Sequence, residues 1–216
     1  MQNIDILTHF DETAEASGLK IYKLREADRT AFFSKLPQPF RCLYLSDEDL
    51  EWRTKTFTTS RPDEIFDKIP DVPFIMSGEF AEVLCYYLIP EKYLPNAGLR
   101  PPKWKWKEAK NIPAHFTDVL LFHQLDPANA STEDALISIE SKARASKPKS
   151  TESSLQIAIN DAKKDVVSRL GESLFHLKTR YKDDKNVTAV NQLERFMDAA
   201  KFPSYLKHFK AVAVVD

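Results

Sequence analysis

Glycine is scarce in this chain: four in 216 residues. So few cannot build a glycine-rich loop that wraps backbone amides around a phosphate, and no such motif is present. Cysteine is scarcer still. Cys42 and Cys85 are the only two, they lie in apolar surroundings without CxxC spacing, and they read as buried free thiols of a reducing compartment. Cytoplasm is the expected location. No apolar run approaches the roughly 18–20 residues that span a bilayer, so no membrane partner is expected. The opening MQNIDILTHFDE carries acids where a secretory signal would carry Lys or Arg. His115 and His123 have no second His or Cys at a zinc-site spacing, and the elbow of a serine hydrolase is missing. No internal repeat is visible. A net charge of −1 excludes a chain that is strongly basic throughout.

What is present is uneven. The first 99 residues carry an acidic excess and residues 100–182 a basic one, a skew that suits an anionic substrate or plain solvated surface. Residues 1–76 read as a mixed α/β extension that could cap the main domain or dock a basic partner. Its pattern predicts a helix over Arg25–Leu36, a strand over Phe40–Leu45 and a helix over Asp63–Ile69 behind Pro62. Residues 77–216 read as the main domain. Ser77 caps a helix over Gly78–Ile89 that Pro90 should stop, with Phe80, Val83, Leu84, Tyr87 and Leu88 as its buried stripe. Glu79 and Glu82 share another face with Tyr86. A first-turn acid that favours the helix dipole explains Glu79 well and Glu82 less well.

A loop over Pro95–Pro102 leads to KWKWKEAK. Lys103, Lys105 and Lys107 alternate with Trp104 and Trp106, the periodicity of a strand with one cationic and one aromatic face. Such a strand either contacts nucleic-acid phosphates or guards a sheet edge with its lysines. Both readings stand at this point.

The centre of the chain runs from His115 to Arg144. HFTDVLLFHQL and ALISIESKAR flank the polar DPANASTED, the pattern of a β-hairpin with a long loop. Asp118 lies early in the first strand. Glu140 and Lys142 lie late in the second, on one side of it, with Ser141 turned away. Two carboxylates and a lysine meeting at a sheet edge can hold a divalent ion and an attacking water. Two other acid-x-Lys triplets, at Asp161 and Asp183, fall on a helix and in a polar turn, without that geometry. After a loop over 145–153, one long helix carries Leu155, Ile159, Ala162, Val166, Leu170, Leu174, Leu177 and Tyr181 as a buried stripe. Gln156, Asn160, Lys163 and Lys164 sit beside it, either approaching the hairpin site, where the lysines would meet nucleic acid, or forming ordinary surface. A helix over Val187–Ala200 and a terminal strand over Ala211–Val215 follow.

The order helix with Glu, lysine strand, strand with Asp, strand with Glu-x-Lys, helix resembles the PD-(D/E)xK nucleases. GEFAEVLCYYL, HFTDVLLF and ISIESKAR more narrowly resemble HamA, the nuclease subunit family of Hachiman anti-phage defence. The resemblance covers about residues 77–182, and Thr117 stands where the superfamily motif has Pro. It implies a restriction-endonuclease-like core, a mixed sheet flanked by helices, that hydrolyses DNA. It implies that Asp118 and Glu140 hold one or two Mg²⁺ ions (Mn²⁺ as substitute), with a carbonyl near Ser141 and with Glu82 or Glu79 completing the cluster. It implies that Lys142 orients or helps deprotonate the attacking water, that Gln156 holds the lysine or a phosphate oxygen, and that a helicase subunit pairs with the chain. Two other readings remain beside this one: a non-catalytic DNA- or partner-binding subunit whose acids only form ion pairs, and a restriction or repair nuclease of the same fold.

Overall fold

A computed structural model of the protein describes residues 4–15, 18–93 (backbone only over 91–93), 98–114, 117–144 and 153–215. His115, residues 95–97 of the loop expected over Pro95–Pro102, and residues 145–152 of the loop before the long helix lie outside the described residues. The chain forms two compact units, one of residues 1–69 with 87–95, the other of residues 70–86 with 96–216.

In the first unit, Phe10–Ala14 (β1) and Lys20–Leu24 (β2) pair antiparallel. A 3-10 turn and the helix Arg29–Lys35 (α1) occupy the stretch expected to be helical. Phe40–Leu45, expected as a strand, is instead part of the helix Pro37–Tyr44 (α2). Pro37 opens it, where a missing N–H costs nothing, and Pro39, Leu43 and Tyr44 recur at helical spacing as the buried side. The apolar run was too short for periodicity alone to separate the two structures. Ser46 and Ser60 accept hydrogen bonds from the amides of Asp49 and Asp63, capping the helices Asp47–Phe57 (α3) and Arg61–Phe66 (α4). Phe32, Leu36, Leu43 and Leu50 are buried here. The Tyr87 hydroxyl donates to the Pro39 carbonyl at 3.0 Å, and its ring stacks on Phe40.

The helix Pro73–Tyr93 (α5) starts a turn before Ser77 and carries Pro90 within it, so neither expected boundary holds. Ile75, Glu79, Ala81, Val83, Leu84, Cys85, Tyr86 and Tyr87 are all buried. A helix buried on so many sides is not an amphipathic surface helix; Phe80 and Leu88 of the expected stripe are only partly covered.

The hairpin of the second unit forms as the sequence indicates. Val119–His123 (β3) and Ala135–Arg144 (β4) pair antiparallel, Val119 opposite Ile139. Leu206–Val215 (β5) lies parallel to β4 at the sheet edge and begins five residues before the expected strand. On the other side of β3, Leu99 makes a single antiparallel bridge to Phe122, whose amide donates to the Leu99 carbonyl. Gly98 makes this approach feasible: its φ is +133°, and a Cβ there would sit 1.6 Å from the Phe122 carbonyl oxygen.

KWKWK is not a strand. Lys103–Trp106 form a 3-10 turn that sends the lysines in different directions. Trp104 is buried against Tyr86, and Trp106 packs edge-on against Tyr181. Burying one indole and packing the other, partly covered, on a different element fixes the backbone more strongly than alternation does.

The long helix has three parts: Ser154–Lys164 (α6), a π turn over Asp165–Arg169, and Leu170–Asp183 (α7). Asp165 and Leu170, five residues apart, are successive buried positions, as a wider turn requires. Val166, expected in the stripe, is therefore rotated outward and is 59% exposed. The helix Val187–Glu194 (α8) stops six residues before the expected end. Leu120, Phe122 and Leu136 of the sheet, with Leu170, Leu174, Leu177, Tyr181 and Leu193, form the core on the face that also bears Ser138, Glu140 and Lys142.

Candidate active site

Asp118 immediately precedes β3, and the hairpin register sets it opposite Glu140, one step beyond the Val119–Ile139 pair. Its Oδ2 accepts hydrogen bonds from the amide and hydroxyl of Ser141, at 2.8 and 3.3 Å. Ser141 thus anchors the aspartate through its own N–H and O–H. Thr117, at the position before the aspartate, is buried and hydrogen-bonds Asp165 and Ser173.

Glu140 is 1% exposed. Its Oε1 accepts from the Arg169 guanidinium, and Lys142 Nζ stands 3.8 Å from its Oε2. The nearest partner of Lys142 is Asp161 of α6, at 2.8 Å. Burial acts to lower the Lys142 ammonium, but the Asp161 hydrogen bond and the charges of Asp118, Asp161 and Glu140 outweigh it and raise its pKa. Lys142 is therefore a cation at neutral pH, suited to orienting a water or a phosphate oxygen rather than to removing a proton.

Of the two helix acids, Glu82 belongs with Asp118. Burial first, then the Asp118 and Glu79 charges against the opposing pull of Lys103, push its carboxyl up to about 7. Burial and the same Asp118 charge do likewise to Glu140, also to about 7, against Arg169 and Lys142. Desolvation and the neighbouring negative charges both favour the protonated form of these two carboxyls. Glu82 accepts from Lys103 Nζ at 3.1 Å and from the Trp104 indole at 3.2 Å. Glu79 is buried against Lys107, whose side chain is 4% exposed. Lys105 pairs with Asp184 at 2.5 Å. The three lysines, expected on one face, are thus spread over three carboxylates.

Gln156 is exposed and donates to Asn160 at 3.1 Å instead of reaching Lys142. Lys163 and Lys164 are exposed, Lys164 paired with Asp161. Asp161 was set aside as an acid-x-Lys triplet on a helix, and Asp165 and Arg169 were not singled out, although the three recur every four residues beside the apolar stripe. That recurrence was the available signal. Cys85 is a packed thiol, pushed up by burial.

A cleft opens beside Asp118, lined by Pro101, Lys103, Thr117, Ser173 and His176 among others. Among the described residues no three His, Cys, Asp or Glu side chains are arranged to hold a metal ion. Mg²⁺, however, is commonly held by one or two carboxylates, with waters and substrate phosphates filling its shell. The carboxylates of Asp118 and Glu140, opposite each other in the hairpin register, are donors of the type that demand calls for.

Comparison with known proteins decides the family. A family model described as HamA matches residues 2–216. The chain belongs to the HamA family. Membership extends over residues 1–76, where the motifs gave no resemblance, and assigns the chain a role in Hachiman anti-phage defence. No curated protein and no solved structure matches. For this HamA-family chain the two sheets and flanking helices make a mixed α/β fold. Among the described residues no helix is long and apolar enough to cross a membrane.

Proposed function

We propose that this HamA-family protein is a divalent-metal-dependent DNA nuclease, the effector of its defence system, held in check or directed by a helicase partner. The observation that carries the reading is Asp118 opposite Glu140, with Lys142 on the same strand face two residues on. The order α5, Leu99 bridge, β3, β4, α6, β5 supports a restriction-endonuclease-like core.

Asp118 and Glu140 would hold Mg²⁺, or Mn²⁺ in its place, with Glu82 behind Asp118 and the carbonyl near Ser141 as further oxygen donors. The bound ion supplies a Lewis acid that activates water and offsets charge on the scissile phosphate. Ser141 fixes Asp118 through its amide. Lys142, held charged by Asp161, orients the water and faces the developing negative charge.

Incubation of the protein with plasmid DNA and Mg²⁺, beside a Glu140→Ala/Lys142→Ala variant, tests the reading. Cleavage by the native protein alone, abolished by EDTA, is the expected result. Cleavage by both proteins, or by neither once any partner is removed, rejects it. One observation favours a second reading, a binding subunit that keeps the fold: Glu140, Glu82 and Glu79 are each engaged by a cation. DNA binding without cleavage by any form would select that reading.

A further inference from the structure

Arg169 pairs with Glu140, and its setting is more elaborate than a counter-ion requires. Its Nε donates to Asp165 Oδ1 at 2.6 Å. Its Nη2 donates to Glu140 and, at 3.4 Å, to the Asp161 carbonyl. Asp165 is itself 1% exposed, and its remaining capacity is taken by the hydroxyls of Thr117, at 3.1 Å, and of Ser138. A buried carboxylate is costly unless it is fully bonded, and here it is bonded entirely to groups that set the direction of one guanidinium. The π turn places both residues. It carries Asp165 inward and Arg169 beside it at the rim, and such turns recur at functional sites.

A guanidinium has five N–H donors in a rigid fork. The two on Nη1 meet no hydrogen-bond acceptor among the described residues, and the Arg169 side chain is 25% exposed. Arg169 therefore brings to the acidic site a guanidinium held by Asp165, with two donors unengaged among the described residues. Neutralising Glu140 alone would not need this, because Lys142 already stands near the same carboxylate. A planar fork left with free donors beside a cationic lysine matches the oxygens of a phosphodiester.

We propose that Arg169 is a substrate-phosphate contact of this site, aimed by Asp165 as its positioning residue, and that it grips the nucleic-acid backbone next to the bond facing Lys142. The inference rests on the nuclease reading above but makes a claim of its own about binding.

The test is fluorescence anisotropy with a short labelled DNA duplex in EDTA across a range of salt concentrations, so that no metal-loaded activity is needed. Arg169→Met is expected to weaken binding about tenfold and to make the plot of log affinity against log salt shallower by about 0.9, one phosphate contact. Arg169→Lys keeps the salt slope. Asp165→Asn, which leaves the arginine charged but unaimed, weakens binding with the slope kept, and it decides the matter if Arg169→Met fails to fold. Arg169→Met binding as well as the native protein, with unchanged slope, overturns the proposal and leaves Arg169 as the counter-ion of Glu140. If Glu140→Ala/Lys142→Ala abolishes cleavage while Arg169→Met retains native kcat and KM, this inference falls and the nuclease reading stands. A native protein with no affinity for the duplex removes the inference outright.

Discussion

Replacing Glu140 by Gln keeps the shape of a 1% exposed side chain and removes its titration. The carboxyl has an ordinary value near 4.5 and is pushed up to about 7 by burial and by Asp118. Between those two pH values the folded protein keeps a proton that the unfolded chain has released. Raising the pH through this window therefore favours the unfolded state, and native stability falls. At about 1.4 kcal/mol per pH unit the loss attributable to Glu140 is about 3 kcal/mol, complete above pH 7 and absent below 4.5. Glu140→Gln lacks this loss and also relieves Asp118 of a repelling neighbour, which acts in the same direction. Urea unfolding of the two in EDTA, at a series of pH values, should give a stability difference that shifts by about 3 kcal/mol in favour of the variant between pH 4.5 and 7.5. Mg²⁺ added above pH 7 should then raise the Tm of the native protein and leave Glu140→Gln unmoved. Parallel stability curves over the whole range would refute the claim that this carboxyl is crowded and desolvated, and with it the physical case for a cation site.

Two further predictions concern the frame that holds the site. Gly98→Ala puts a methyl group against the Phe122 carbonyl at a backbone conformation unsuited to L side chains; it should cost about 3 kcal/mol or more in denaturant unfolding, and an unchanged midpoint would contradict the close approach. Arg195 is buried in an ion pair with Asp134 at 3.0 Å and also donates to the Asp126, Pro127 and Asn129 carbonyls of the hairpin loop. Arg195→Met should therefore destabilise by about 3–5 kcal/mol, and Asp134→Asn added to it should recover part of the loss in thermal melts. A double variant no better than the single one would show that the loop carbonyls, not the charge pair, carry the effect.

The hairpin and its three residues were legible because the cues are local. Side chains alternate along a strand, so Glu140 and Lys142 share a face wherever β4 lies, and the polar DPANASTED run can only be the connection. Apolar spacing made the approximate places of α5 and of α6 with α7 legible for the same reason, but Ser77, the one serine cap expected, lies inside α5, and α3 was not anticipated. Where local cues conflicted, the sequence misled. Phe40–Leu45 has strand composition, yet Pro37 and the packing of Leu43 and Tyr44 make it helical. KWKWK alternates like a strand, yet its two indoles pack on Tyr86 of α5 and Tyr181 of α7 and turn it into a 3-10 segment.

Alone, then, the order of residues determined that an aspartate, a glutamate and a lysine would meet across one β-turnover, since two-residue periodicity and a turn-rich linker leave few other outcomes. Only the folded chain decided which charges surround them. Glu82 arrives from a helix more than 30 residues earlier, and Asp161, Asp165 and Arg169 arrive from one about 20 to 30 residues later, through a π turn that no periodicity announces. Electrostatic environment depends on distances in space, and those are set by which apolar surfaces pack together.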